Sequence, residues 1–215
     1  MLVLGALVAC EEADPCRLDA RPASIDDALD TIGQLPSPVS LECFLVSLER
    51  PLGLELTSDI FSAQPAQGVE SPRIFVRTDE LTMSVVPVGE ARELLEFGEY
   101  HPSGLTVKAE LVFPIELPLD PAAAFDRVLA YDGSDATGCA VCHLGEIDVG
   151  GGRYASTPLR PPERMVVPLE VLRTEHETCD PAADAERCAM FSALLDHGEV
   201  ITSPFPESYF TLSGE

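Results

Sequence analysis

Thr106-Val107-Lys108-Ala109-Glu110-Leu111-Val112-Phe113 alternates in polarity along its whole length. Val107, Ala109, Leu111 and Phe113 form one apolar set, with Thr106, Lys108, Glu110 and Val112 between them. A period of two puts the apolar set on one side of an extended chain, so the stretch predicts a half-buried β-strand. Leu81, Met83 and Val85 repeat the pattern, and shorter versions occur at 73–77 and 94–100. Turn residues separate these runs at short intervals, which predicts an antiparallel sheet or small sandwich over residues 52–120. The proline-spaced run Phe113-Pro114-Ile115-Glu116-Leu117-Pro118-Leu119 closes it.

Outside this region the period lengthens. Ser24 precedes Ile25, with Asp27 three residues later in a capping-box arrangement. Ile25, Ala28, Leu29 and Ile32 then share a helical face that stops at Gly33. Leu41, Phe44, Leu45 and Leu48 repeat the spacing and end before Pro51. Beyond the β region, Asp120-Pro121 opens a helix over 121–131. A Gly/Ser/Asp-rich linker runs from Asp132 to Gly138, and a glycine- and proline-rich loop extends to Pro162. Helix-like pieces follow at 168–176 and 184–196. The fold class predicted is α+β: an antiparallel sheet or small sandwich followed by a loop-rich, partly helical segment. Three parts are expected, at 1–22 (signal and tether), 23–120 (helices and β region) and 121–215.

Among 215 residues, 37 Asp+Glu oppose 13 Lys+Arg, for a net charge of -24. Such a chain repels nucleic acid, whose binding depends on cations displacing counterions, and repels anionic lipid headgroups. The acidity serves solubility, or docks a basic partner. There is no Gly-x-Ser-x-Gly elbow, phosphate-binding glycine loop or His-Glu-x-x-His helix, so hydrolase and nucleotide-binding chemistry have no support. Asp180, Asp184 and Glu186 lack the spacing of an EF-hand calcium loop.

Met1 to Ala9 is uniformly apolar and is followed by Cys10. Nine residues are too few to span a bilayer, which takes about 20, but they fit the apolar region of a secretory signal. Leu7-Val8-Ala9-Cys10 resembles the bacterial lipobox, although no Lys or Arg precedes the apolar run. That resemblance implies lipidation at Cys10 and tethering on the periplasmic or outer-surface face of a bacterial membrane.

Cys139-Ala140-Val141-Cys142-His143 carries the chemistry. Two intervening residues bring both thiols within one turn, where they can add to the two vinyl groups of one porphyrin, and the next residue offers an imidazole to the iron. The pentapeptide resembles the attachment site of c-type cytochromes. The resemblance implies one covalent haem c, with His143 as proximal ligand and single-electron transfer to a redox partner protein as the task. A redox or structural Cys139–Cys142 disulfide, or a zinc site completed by Cys179, Cys188 or a histidine, is the alternative reading. It belongs to a non-haem binding or interaction lipoprotein.

Under the haem reading the cysteines balance. Lipidation takes Cys10 and haem takes Cys139 and Cys142, leaving Cys16–Cys43 and Cys179–Cys188 as disulfides. Methionine is a common sixth ligand in electron carriers. Met165, rigidly presented after Pro161-Pro162, is the favoured candidate, ahead of Met190, His176, His197 or an open position. Met83 reads as packing, and His101 as surface. Arg153 and Arg160 are the candidates for neutralising the haem propionates, with Arg164 and Tyr154 nearby.

Overall fold

The computed structural model describes residues 14–130 and 136–211. Cys10, the apolar stretch before it, and part of the 132–138 linker lie outside the described residues. Helices α1 (Ile25–Ile32) and α2 (Leu41–Val46) come first. Strands β1 (Leu52–Thr57), β2 (Arg73–Arg77), β3 (Leu81–Val85), β4 (Leu94–Tyr100) and β5 (Thr106–Val112) follow, then helix α3 (Ala122–Asp126). The second half supplies β6 (Ile147–Gly150), β7 (Arg153–Ser156), β8 (Leu159–Arg160), α4 (Leu169–Glu177), α5 (Ala185–Leu195), β9 (Val200–Thr202) and β10 (Phe210–Thr211). The architecture is α+β.

Local chemistry explains the helices that open the chain. Ser24 accepts from the Asp27 amide, and the Asp27 carboxylate accepts from the Ser24 amide, closing the capping box. Ser40 caps α2 in the same way from one side. Ile25, Ala28, Leu29 and Ile32 are all buried, as their spacing requires.

Eight strands form one sheet in the order β6-β7-β5-β4-β3-β2-β1-β9. β1 to β5 meander antiparallel, and β9 joins β1 in parallel. Residues 121–215 thus add both edges of the sheet that residues 52–112 begin. Register aligns the side chains in rows. Leu54, Val76, Met83, Phe97 and Ala109 cross the five central strands as one apolar row. That face shares a single core with the helices, in which Phe44 and Phe191 are fully buried.

The opposite face carries the row Glu55, Phe75, Ser84, Glu96 and Glu110. Here the structure departs from the half-buried expectation. Thr106 is 3% exposed and Lys108 9% exposed, because a second layer made from residues beyond 136 covers them. The alternation was a sound sign of a strand, but its polar side faces a cavity rather than open solvent. Cys16–Cys43 and Cys179–Cys188 are disulfides, as the cysteine balance expects. Among the described residues no helix is long and apolar enough to cross a membrane.

Candidate functional site

The turn that holds the cysteine pair is built by a short helix, Gly138–Val141. Thr137 caps it: its hydroxyl accepts from the Cys139 amide at 3.2 Å, while the Thr137 amide and hydroxyl both donate to the Glu146 carboxylate. The Cys142 and His143 amides then converge on the Cys139 carbonyl, at 3.1 and 2.8 Å. Both sulfurs and the imidazole are therefore carried on one turn of chain. Gly138 N–H donates to the Val128 carbonyl at 2.8 Å, fastening that turn to the chain just after α3.

The imidazole is oriented from the other side. Hairpin β6–β7 turns through Gly150, Gly151 and Gly152, each at positive φ (91°, 66° and 75°), which residues with a Cβ rarely adopt. Strand β7 leaves this turn and delivers Thr157, whose carbonyl lies 2.8 Å from His143 Nδ1. Thr157 is itself held by the Leu144 carbonyl through its amide at 2.9 Å. With Nδ1 as the donor, the lone pair sits on Nε2, for which no protein partner is found among the described residues. Burial, then the nearby Lys108 charge, pushes the His143 pKa down to about 4, so the ring is neutral at pH 7. A neutral imidazole fixed through Nδ1 to a carbonyl is the form in which histidine binds a metal.

Cys139, Cys142 and His143 line a cavity of about 360 Å³ on the polar face of the sheet, within the range of small-molecule and cofactor sites. Cys139 and Cys142 are free thiols, the first partly buried and the second exposed. Burial pushes the Cys139 thiol up to about 11, against the pull of the Thr137 hydrogen bond and Lys108. Phe61, Phe75, Phe205 and Tyr209 give the cavity aromatic walls. Phe75 and Phe205 meet edge to face at 4.8 Å, and the Arg73 and Arg77 guanidiniums stack on them.

Its charge is unlike that of the chain. Four cations, Arg73, Lys108, Arg127 and Arg160, line it against three carboxylates, Asp59, Glu96 and Glu110. In the whole sequence carboxylates outnumber cations 37 to 13. Arg73 binds Glu96 and also donates to Ser84 at 2.8 Å. Glu110 lies 3.6 Å from Arg127, and burial, then Glu96, raises its pKa. Burial lowers Lys108 to about 8. The concentration of cations, two free thiols and a neutral, oriented imidazole suits a large planar group with apolar faces and carboxylate substituents. Haem has those properties, and the residues present fit it.

The other expected residues are distributed differently. Arg160 lines the cavity, its Nε donating to the Tyr209 carbonyl at 3.2 Å. Arg153 does not: it makes a two-pronged pair with Asp26 at 2.9 and 2.8 Å and stacks on Phe125, which ties β7 to α1. Met165 is also outside the wall. Its carbonyl accepts from the Ser58 amide, and its sulfur lies 3.7 Å from Ser58 Oγ. Met83 and Met190 are in the core. His176 pairs with Asp196 at 2.7 Å, and neither it nor His197 lines the cavity. Cys179 and Cys188 are bonded to each other and so are not available to complete a zinc site with Cys139 and Cys142. Among the described residues no three His, Cys, Asp or Glu side chains are grouped to hold a metal ion.

Lys108, Arg73, Glu96 and Tyr209 were not singled out from sequence. The available signal was the polar residue at matching register in strand after strand, which marks a second buried face once strand order is known. No protein-family model, curated protein or solved structure matches this chain.

Proposed function

We propose that the chain is an exported, lipid-anchored monohaem c-type protein that transfers electrons. The observation that carries the reading is the disposition of the pentapeptide. Cys139 and Cys142 are free, His143 is held through Nδ1 with no Nε2 partner among the described residues, and all three line one cavity. In this reading Cys139 and Cys142 form the thioethers, His143 binds iron, and Arg160 with Arg127 balances the propionate charge. The haem, when bound, supplies a reversible one-electron couple.

The chain's own residues do the rest. Thr157 orients the His143 ring, Thr137 and Glu146 hold the turn, and the aromatic walls would shield a bound haem from water. Val141 is 84% exposed and Leu144 71% exposed. They flank Cys142 and His143 in the chain and offer exposed apolar surface beside the site to a docking partner. The acidic remainder of the surface favours a basic redox partner protein. Two disulfides fit an oxidising compartment, and Cys10 is the proposed site of the membrane anchor.

The test is export of the full chain in a bacterial host carrying c-type haem maturation factors. The expected result is a Soret band, a c-type pyridine haemochrome, and a denaturant-resistant mass increase of one haem. Cys142→Ala should prevent normal two-bond attachment, and His143→Ala should abolish it. A colourless wild-type protein with Cys139 and Cys142 still reduced or joined to each other would overturn the reading and favour a non-haem binding lipoprotein.

A further inference from the structure

Strands β1 to β5 contain two glycines, Gly53 and Gly98. A glycine inside a strand costs stability, because it gives up chain freedom and packs no side chain. The chain itself accounts for the first. A Cβ at Gly53 would stand 2.8 Å from Ser203 Cβ and 3.1 Å from the Arg77 carbonyl oxygen, so the segment that follows β9 lies where a side chain would be.

Gly98 has no such reason. Its φ is not positive, and its pairing runs without a bulge to Thr82 on one side and Lys108 on the other. A Cβ there would come no nearer than 3.9 Å to any atom, at Lys108 Nζ and Thr106 Cβ, which is ordinary contact. Gly98 nevertheless lines the cavity, in a row with Thr82 and Lys108 that lie one strand away on either side. At about 4.8 Å per strand, those two columns stand about 10 Å apart, and nothing rises from the floor between them. A strand glycine that neither turn, bulge nor packing requires marks a place where something outside the chain comes close to the backbone.

The same space is bordered by an unspent donor. Lys108 is 9% exposed, and of the three donors of an ammonium one is served among the described residues, by Thr106 Oγ1 at 2.6 Å. Glu96 and Glu110 are engaged by Arg73 and Arg127 instead. A buried donor without acceptors, beside a gap that the chain leaves unfilled, calls for an occupant.

Resting on the haem reading above, we propose that Gly98 sets the clearance of the cavity: the space a side chain would take there belongs to the bound haem, and the absence of that side chain decides that a group so large is admitted. Gly98 is thus a specificity-determining position, and its glycine serves the ligand rather than the fold.

The test compares wild type, Gly98→Ala and Gly98→Val as exported full-length proteins, haem-free and after maturation. Haem-free Gly98→Val should unfold at a urea concentration equal to or above that of wild type, since a β-branched residue replaces glycine in a strand. After maturation it should carry at least about fivefold less covalent haem per chain by denaturing mass spectrometry, the low end of what overpacking a filled site costs. Gly98→Ala should show the same pair of changes in smaller measure. Wild-type haem content with an unchanged Soret band in Gly98→Val overturns the clearance and leaves the haem reading standing. A haem-free Gly98→Ala less stable than wild type also overturns it, because the glycine would then serve the chain. Absence of covalent haem from wild type overturns both readings. Should Gly98→Val be unstable or fail to accumulate, Gly98→Ala decides by the same two measurements.

Discussion

Replacing Lys108 with methionine in the haem-free chain keeps the length of the side chain and removes its charge. The folded-state pKa is about 8, against an ordinary value of 10.5, and burial is the main cause. Between those values the folded chain binds fewer protons than the unfolded one, so stability rises with pH across that window. Below pH 8 the full penalty of holding the ammonium in the cavity applies, about 3 kcal/mol from the 2.5-unit difference. Methionine removes it. Methionine also gives up the hydrogen bond to Thr106 Oγ1, worth about 1 kcal/mol, and that hydroxyl retains the Ser156 carbonyl at 3.4 Å. Lys108→Met should therefore be about 2 kcal/mol more stable than wild type at pH 7. The advantage should shrink above pH 8 and reverse to a deficit of about 1 kcal/mol once the lysine is neutral in both states. Urea unfolding of the exported, haem-free proteins from pH 7 upward reads this directly, provided the slopes agree. A variant less stable than wild type at pH 7, or a gap that does not change with pH, would refute the reasoning.

Other consequences are simpler. Removing the Cys16–Cys43 disulfide, which closes a separation of 27 residues, should cost about 3 kcal/mol in thermal or urea unfolding. Cys179–Cys188, with a separation of 9, should cost less by somewhat under 1 kcal/mol. In the haem-free protein Cys139 should alkylate slowly at pH 8 and faster with each step toward its pKa of about 11, followed by peptide mass spectrometry; rapid labelling at neutral pH would contradict its burial. Phe191→Ala, at a fully buried ring in the core, should lose about 3–5 kcal/mol and lower the yield of folded protein. Ser24→Ala, which opens the capping box of α1, should lose about 1 kcal/mol by urea unfolding.

What could be read in the sequence was what neighbouring residues decide. Ser24 with Asp27 set the start of α1, and the alternation at 73–77, 81–85, 94–100 and 106–112 marked four strands that all appear. The helices predicted at 168–176 and 184–196 are α4 and α5 to within a residue at each end. The 121–131 helix shortens to Ala122–Asp126, because Val128 and Leu129 leave the helix to line the cavity and Leu129 makes a β-bridge to Thr137. What could not be read was which segments lie over which face. Thr106, Lys108 and Glu110 have the polarity of a wet surface, and only the covering layer beyond residue 136 makes them the floor of a cavity.

The same distinction separates two parts of the site. A two-residue spacing fixes Cys139, Cys142 and His143 on one turn whatever surrounds them, so that cluster is a property of the local chain. Which side chains face that cluster across the cavity is a property of the opposing wall, and chain distance from His143 says nothing about it. Met165 follows the pentapeptide closely and stands behind a rigid proline pair, yet its carbonyl and sulfur are directed to Ser58. Lys108 precedes the pentapeptide by 31 residues along the chain and reaches the same cavity because β5 pairs with β7, the strand that delivers Thr157 to His143. The polar residue least expected in a strand interior is thus one that the sheet presents to the cavity His143 lines.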